Sequence, residues 1–244
     1  MSDVITSRTN PKVKAASLLK GKPGETYLIE GFHLVEMAFE NGCLSEVFAL
    51  EEPSFPLANV HIVTPEIIEK LALTSHPEPI VGIAKRKGEA PYACHKAVVF
   101  DRIQDPGNIG TLLRSALAFG FEDVLFLPGT CSPFNPKAIQ ASQGAIFALN
   151  LHFAASIEEG FDALRERGYR IIGTALSEKS VPSEGYVYPK QFALILGNEG
   201  RGVCEFALNH CDDLLKISMQ GIDSLNVGVA GSILMHDAYA PHGR

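Results

Sequence analysis

Short apolar runs alternate with helix-forming segments through the second half of the chain. The runs AVVFD, DVLFL, RIIGTAL, FALIL and LLKISM show almost no polar alternation, which indicates strands that are buried on both faces. Between them, helices are predicted over residues 108–119, after Asn135-Pro136, after Ser156, and from Ser224 to about Tyr239. This order predicts an α/β fold with a mainly parallel sheet.

The first part of the chain shows the same alternation on a smaller scale. Strands are predicted at TYLIE, EVFAL, VHIV and IVGIAK, and helices after Asn10-Pro11, over residues 32–41 and after Thr64-Pro65. The polar segment KGEAPYACHK, which contains glycine and proline, then interrupts the pattern. We therefore expect a small α/β domain over residues 1–88 and a larger domain over residues 96–244.

Composition narrows the class of protein. With 46% hydrophobic and 20% charged residues, the chain can fill a hydrophobic core. No apolar run approaches the roughly 18 residues of a membrane span, and the N-terminus lacks the apolar core of a signal peptide, so a cytoplasmic protein without a membrane partner is expected. The group Cys204, His210 and Cys211 is too crowded along the sequence and has no fourth ligand nearby, so no metal site is expected.

Charge is distributed unevenly. A net charge of −7 argues against a protein that coats nucleic acid without selectivity. Residues 1–22 nevertheless hold five basic residues and one acidic residue, and a second basic run, KRK, occupies residues 85–87. Taken alone, these runs predict only a solvated surface.

Three loops rich in glycine and small polar residues follow predicted strands of the second part. They cover residues 101–120, 197–203 and 217–231. In open parallel sheets, ligands bind at the carboxyl ends of the strands. Because all three loops begin at such ends, we expect them to form one site.

The residues of these loops resemble the three signature motifs of the SpoU (TrmH-type) RNA ribose methyltransferases of the SPOUT superfamily. The first is Asn-x-Gly-x-x-x-Arg at residues 108–114, the second is Gly-Asn-Glu-Gly-x-Gly at 197–202, and the third is Ser-Leu-Asn-Val at 224–227. The segment before residue 88 is similar to a substrate-binding domain that resembles small ribosomal RNA-binding proteins. The resemblance implies a C-terminal trefoil knot, S-adenosylmethionine as cofactor, RNA as substrate and a homodimer.

The resemblance also implies roles for individual residues. It gives Arg114 the central catalytic role, with Asn108, Glu199, Ser224 and Asn226 around it. A guanidinium is a poor general base and a good bidentate clamp, so we expect Arg114 to orient an RNA phosphate and to stabilise the developing alkoxide. Gly110, one turn earlier on the same helix face, is expected to leave room for the substrate.

Each of these residues also has a purely structural interpretation. Arg114 could be a surface residue of an amphipathic helix, Glu199 could cap a helix that begins near Val203, and Ser224 could be the N-cap of the last helix. Asn226 could tie its own loop together.

The cofactor is expected to bind mainly through backbone atoms, and the glycines of the second motif are expected to let the backbone approach its adenine and ribose. By position, the expected contacts are Thr174, Ala175, Leu196, Gly197, Gly200, Ile217, Met219 and Leu225. For the apolar members of this set, ordinary core packing is the alternative.

RNA contacts are expected along a basic strip that runs toward Arg114. Its members are Lys12, Lys14, Lys22, Arg102 and the basic run at 85–87. The third motif departs from the family pattern at Gly228 and Gly231, which share a helix face with Ser232 and would allow close contact with another helix, a change that bears on the dimer interface.

These observations favour an S-adenosylmethionine-dependent enzyme that methylates a ribose 2′-hydroxyl, with 23S ribosomal RNA as the favoured substrate. The alternatives are a transfer RNA 2′-O-methyltransferase and a non-catalytic RNA-binding or ribosome-assembly protein on the same scaffold. A dinucleotide-dependent dehydrogenase is excluded, because DRIQDPGNIG does not supply the Gly-x-Gly-x-x-Gly pattern after the first strand.

Overall fold

The fold is that of a computed structural model, which describes residues 4–21, 23–57, 59–88, 90–92, 95–222 and 224–239. Lys22, one of the expected RNA contacts, lies outside these residues.

A four-stranded sheet with helices on both faces forms the N-terminal part. Its elements are α1 (Pro11–Leu18), β1 (Thr26–Glu30), α2 (Phe32–Glu40), β2 (Leu44–Ala49), β3 (Val60–Ile62), α3 (Pro65–Leu71) and β4 (Ile80–Lys85). The strand order is β1-β4-β2-β3, in which β4 is antiparallel to both neighbours and β2 pairs with β3 in parallel. Side chains alternate between the faces: Leu28 points toward α1 and α3, whereas Tyr27 and Ile29 belong to the cluster that includes α2.

A seven-stranded sheet with helices forms the C-terminal part. Its elements are β5 (Lys96–Phe100), α4 (Pro106–Ala118), β6 (Asp123–Phe126), α5 (Pro136–Ser142), α6 (Ala145–Ala148), β7 (Asn150–Phe153), α7 (Ile157–Glu166), β8 (Arg170–Thr174), β9 (Val181–Pro182), β10 (Phe192–Leu196), α8 (Glu205–His210), β11 (Asp213–Lys216) and α9 (Val227–Tyr239). The strand order is β7-β6-β5-β10-β8-β11-β9, and every pair is parallel. The predicted α/β fold with a parallel sheet is confirmed, while the trefoil knot stays a prediction.

Three predicted helix starts have the expected side-chain caps. The Asn10 and Asn135 carboxamides each accept a hydrogen bond from the backbone N–H two residues later, and Ser156 accepts one from the N–H of Glu159. Helix α4 begins at Pro106, two residues earlier than predicted, because the Asp105 side chain accepts from the N–H of Asn108. Strands β7 and β9 were not predicted: each is short and forms a sheet edge, where the apolar signal is weakest.

The two sheets are joined by a continuous core. The largest buried cluster contains Tyr27 and Val35 from the N-terminal part together with Phe134 and Ile146 from the C-terminal part. Helices α2 and α5 lie at this junction, where the Gln140 amide approaches the carbonyl of Glu30. The division at residues 88 and 96 stays a prediction, since the two parts share one buried cluster.

Candidate active site

A cavity of about 460 Å³ lies at the carboxyl ends of β8, β10 and β11. We call it the cofactor cavity, after the ligand that the sequence analysis expects. It is lined by the loop at 197–203, by the segment after β11 and by the inner side of α9. All eight residues expected to contact the cofactor line it: Thr174, Ala175, Leu196, Gly197, Gly200, Ile217, Met219 and Leu225. Glu199 and Ser224 line it as well.

The loop at 197–203, which we call the glycine loop, closes on itself at the mouth of this cavity. The backbones of Asn198 and Gly202 exchange two hydrogen bonds of 3.0 and 2.9 Å, and the Asn198 side chain accepts from the N–H groups of Gly200 and Arg201. A Cβ on Gly197 would lie against the backbone of Gly202 and Val203. The missing side chain of Gly197 thus makes room for its own loop, while the approach of these glycines to the cofactor stays a prediction.

Glu199 connects the second motif to the first. One carboxylate oxygen accepts from the Asn108 side chain at 3.0 Å and from the N–H of Asp105 at 3.2 Å, and the other accepts from the N–H of Gln104 at 3.3 Å. Helix α8 begins at Glu205 with Cys204 as its N-cap, so Glu199 is not a helix cap.

The same hydrogen bonds determine the charge of Glu199. Burial alone would raise its pKa, but the bonds from Asn108 and from backbone N–H groups outweigh burial and hold the pKa below its ordinary value. The group is therefore an ionised carboxylate at neutral pH, held beside the cavity.

Asn226 joins the third motif to the first. Its side-chain N–H donates to the Asn108 carbonyl oxygen at 3.0 Å, and its own carbonyl oxygen accepts from the N–H groups of Gly228 and Val229. Asn226 is thus the N-cap of α9, and the prediction that Ser224 caps this helix is wrong. Residues Glu199, Asn108 and Asn226 form one chain of hydrogen bonds, which we call the amide relay, and it links the three motifs.

Arg114 lies apart from this relay. It is exposed on α4, does not line the cavity, and makes no hydrogen bond or ion pair with any residue that the structure describes. Gly110 does not leave room for a substrate, as had been expected, because it is buried and a Cβ there would meet Ala138 and Ala141 of α5. The glycine instead allows α4 and α5 to pack closely.

Asp101 is a residue of this site that the sequence analysis missed. Its fully buried carboxylate accepts from the Arg102 guanidinium at 2.9 and 3.2 Å and from the N–H of Cys204 at 2.6 Å. It thereby holds the first loop against the end of the glycine loop. An acidic residue closing an otherwise apolar strand was the available signal.

The predicted basic strip does not form as one surface. Two donor nitrogens of Arg102 are engaged by Asp101, and this bond raises the pKa of the guanidinium. Lys12 and Lys14 are exposed on α1, which packs with α3 on the sheet face that points away from the C-terminal part. Residues 85–87 lie at the junction of the two parts instead.

The small residues of α9 face α4 of the same chain. A Cβ on Gly231 would meet Leu112 and Leu196, and the hydroxyls of Ser115 and Ser232 lie 2.7 Å apart. The close helix contact expected from these glycines is therefore made within one chain. The outer face of α9 leaves apolar side chains exposed.

Two absences hold for the described part of the chain. No group of three or more histidine, cysteine, aspartate or glutamate side chains there is arranged to hold a metal ion. Nor is any of its helices long and apolar enough to cross a membrane.

Known proteins are similar to this chain in sequence and in fold. The profile of the SpoU rRNA Methylase family matches residues 95–236. A 23S rRNA (guanosine(2553)-2′-O)-methyltransferase, RlmP, from Bacillus subtilis is 32% identical over 243 residues, which cover 95% of this chain and 97% of that protein.

Solved structures agree with these matches. An AdoMet-bound rRNA methyltransferase from Sinorhizobium meliloti is 27% identical, with a TM-score of 0.87 over 99% of this chain and 98% of that one. The SpoU methyltransferase AviRb from Streptomyces viridochromogenes, 22% identical, shares the fold with a TM-score of 0.83 over 95% and 98% of the two chains. The chain therefore belongs to the SpoU rRNA methylase family and is an S-adenosylmethionine-dependent RNA methyltransferase.

Proposed function

We propose that this enzyme transfers the methyl group of S-adenosylmethionine to a ribose 2′-hydroxyl of 23S ribosomal RNA in the cytoplasm. The observation that carries the proposal is the amide relay, which joins three separate motifs beside one cavity. The relative from Bacillus subtilis, which is named for this reaction, matches nearly the whole of both chains. This full-length match favours ribosomal RNA over transfer RNA.

The cavity is suited to S-adenosylmethionine. Its walls include Leu196, Leu225 and Leu234, which offer an apolar surface for a nucleoside, and Gly200 has nothing nearer to its Cβ position than 3.8 Å. The ionised carboxylate of Glu199 lies at the rim, where it favours a cationic ligand. The cofactor supplies the methyl group together with its own leaving group.

The protein's remaining task is to position the nucleophile. The amide relay fixes the loop at 197–202 relative to α4 and α9, so that cofactor and RNA meet in one geometry. In our proposal Arg114 clamps the phosphate next to the target ribose and stabilises the developing alkoxide. Its exposed guanidinium has no partner among the described residues, which leaves its donors available.

We further propose that two chains share each active site in a homodimer. Arg114 does not line the cavity of its own chain, and the outward faces of α4 and α9 expose Leu117, Val229 and Ile233 with 37%, 49% and 36% of their surfaces. Two copies of this surface would bury those side chains around a twofold axis and would bring Arg114 to the partner's cavity.

Mixed dimers test the shared site. The variants Arg114→Ala and Gly197→Ala are each expected to be inactive, but their heterodimer would contain one intact site. A one-to-one mixture reassembled after dissociation should recover about a quarter of the wild-type methyl transfer, because half of the dimers would have one working site of two. A mixture that stays inactive while mixed dimers form contradicts the shared site.

The reaction itself is tested by mapping 2′-O-methyl groups in ribosomal and transfer RNA from cells with and without the gene. We expect one 23S site to be lost in the deletion strain and restored by the wild-type gene, but not by the Arg114→Ala variant. Loss of a transfer RNA site would instead support the transfer RNA alternative. An unchanged methylation map, together with no binding of S-adenosylmethionine in calorimetry, would support the non-catalytic alternative.

A further inference from the structure

A second cavity, of about 210 Å³, lies where the N-terminal sheet meets the C-terminal part. We call it the junction cavity. Its lining comes from both parts of the chain and includes Tyr27, Lys85, Arg86, Lys87, Phe134 and Phe153. Residues 85–87 are the basic run that the active site does not use.

Aromatic rings form one wall of the junction cavity. The Phe134 ring lies 5.1 Å from that of Tyr27 and 6.3 Å from that of Phe153, measured between ring centroids. Phe134 is only 4% exposed, whereas Phe153 is 48% exposed although it stacks on Phe126. An exposed, immobilised ring beside a cavity offers a face on which another planar ring can stack.

The size of the cavity suits one such ring. An apolar cavity of about 150 Å³ is sufficient to bind benzene. The junction cavity is somewhat larger, at about 210 Å³. It therefore has room for a single heteroaromatic base, but not for a folded element of another protein.

Arg86 provides an unused donor at this wall. Its guanidinium lies over the Phe134 ring, 4.1 Å from the centroid, and its Nε–H is buried without a hydrogen-bond partner among the described residues. Buried donors are rarely left unsatisfied, because each one loses its bonds to water. The terminal N–H groups of the same guanidinium are not buried and have no hydrogen-bond partner among the described residues, so a ring nitrogen, a carbonyl oxygen or a phosphate oxygen of a ligand can accept from them.

The net positive charge at the rim of the junction cavity favours a ligand with an anionic backbone. Lys85 and Lys87 are exposed on either side of Arg86, against the single carboxylate of Glu25. Such a combination of aromatic faces and cationic side chains is typical of sites that bind single-stranded nucleic acid.

The junction cavity runs along the edge strand β7 and reaches its carboxyl end, which lies at the same edge of the seven-stranded sheet as the cofactor cavity. Phe153 ends β7, and Phe134 follows β6. The segment after β6 is tied to the loop at 101–120, since the N–H of Cys131 donates to the Ile103 carbonyl and the Thr130 hydroxyl accepts from the N–H of Arg102. A single RNA strand lying along this edge would therefore pass both cavities.

We propose that the junction cavity binds one unpaired RNA base near the target nucleotide. The base stacks on Phe153 and accepts a hydrogen bond from Arg86, while Lys85 and Lys87 contact the flanking phosphates. This proposal rests on RNA being the substrate, and it adds a second recognition point to the active site.

The test measures binding without turnover. Full-length protein saturated with S-adenosylhomocysteine, so that the cofactor cavity is occupied, is titrated into a single-stranded RNA pentamer with a central 2-aminopurine. Stacking on Phe153 should quench the fluorescence, and Phe153→Ala should weaken binding by about tenfold. Phe39→Ala is the matched control, because Phe39 is 41% exposed on α2, away from the cavity, and it should change the affinity by less than about twofold.

Arg86→Met separates ligand binding from a structural role. If the donor serves RNA, the variant should bind the pentamer about tenfold more weakly, while its melting temperature should not fall, because a buried unsatisfied donor has been removed. A lower melting temperature with unchanged affinity would show that Arg86 is structural and would overturn the proposal.

A pre-formed RNA duplex of the same sequence completes the test. Its bases are already stacked and paired, so it should compete poorly with the pentamer. Equal competition, or equal affinities of wild type, Phe153→Ala and Phe39→Ala, would contradict base binding. Because no methyl transfer is measured, failure of the proposed reaction would appear separately, as absent methylation with pentamer binding intact.

Discussion

The two cavities at the carboxyl edge of the parallel sheet are built from different materials. The cofactor cavity has largely apolar walls, and the loop at its mouth is held by carboxamides and one carboxylate that are hydrogen-bonded to each other and to the backbone. The junction cavity is formed by aromatic rings and basic side chains from both parts of the chain. We propose that the first is a reaction centre, whose groups must hold each other in position, and that the second is a recognition site. A recognition site needs only aromatic rings and charged side chains that a ligand can contact.

The largest expected effect lies in the glycine loop. Gly197→Ala places a methyl group against the backbone of Gly202 and Val203, so the loop must open. A displacement of about 1 Å can lower a rate by roughly a hundredfold, and we expect at least this loss of methyl transfer. Radiolabelled methyl incorporation measures it.

Gly24→Ala is the control outside the cofactor cavity, since no atom lies within 4 Å of its Cβ position. It should retain activity within about threefold, with little effect on stability. If both variants behaved alike, the loop would not depend on the contact at Gly197. Binding of the RNA pentamer should be unchanged in both, which would separate the two cavities.

The next effect tests the amide relay. Asn108→Ala removes the donor to the ionised Glu199 and the acceptor of the Asn226 side chain. A hydrogen bond to a charged group contributes about 1.5–3 kcal/mol, and we expect kcat to fall by roughly tenfold or more. Asn41→Ala, which removes a single bond to the Met37 carbonyl in the N-terminal part, should leave kcat unchanged. Wild-type kcat in Asn108→Ala would show that the relay does not position the site.

A smaller effect concerns the basic residues. Lys85→Ala with Lys87→Ala should lower the slope of log Kd for a 23S RNA fragment against log salt by about 1–2, because each lysine that contacts a phosphate contributes about one. Lys12→Ala with Lys14→Ala serves as the control, since α1 packs on the opposite face of the N-terminal sheet. An equal loss of slope in the second pair would mean that RNA also covers that face.

The smallest effect is on the pH dependence of stability. The pKa of Glu199 lies below its ordinary value of 4.5 in the folded protein, so the unfolded state binds its proton more readily. The stability that this carboxylate contributes is full above pH 4.5 and is lost as the pH falls through the folded-state pKa. The difference in unfolding free energy between wild type and Glu199→Gln, measured by urea denaturation, should therefore shrink with decreasing pH. A constant difference would contradict the lowered pKa.

Much of the cofactor cavity could be predicted from the sequence, because most of its lining residues lie at the ends of apolar strands or in the glycine loop and the third motif. All eight expected contacts line it. The sequence did not reveal which neighbours require the glycines: Gly110 makes room for α5, and Gly197 makes room for its own loop. The sequence shows that a residue is small, but the neighbouring atoms that leave no room for a side chain are known only from the folded structure.

No comparable sequence motif predicted the junction cavity. Its aromatic wall comes from Tyr27, Phe134 and Phe153, which lie in three elements and form no motif. The basic run at 85–87 was visible, but its position beside these rings depends on how α2 and the N-terminal sheet pack against α5.

The sequence alone determined the parallel sheet, the sites of most helix caps and the three loops, because apolar runs and capping residues act locally. The tertiary structure decided which groups meet: Asn226 rather than Ser224 caps α9, Asp101 holds the glycine loop, and Arg114 faces solvent instead of its own cavity. The bond from Cys204 to Asp101 joins residues 103 positions apart, and the bond that orients the Asn226 side chain toward Asn108 joins residues 118 positions apart. Such contacts are determined by packing of the whole chain, which no local pattern encodes.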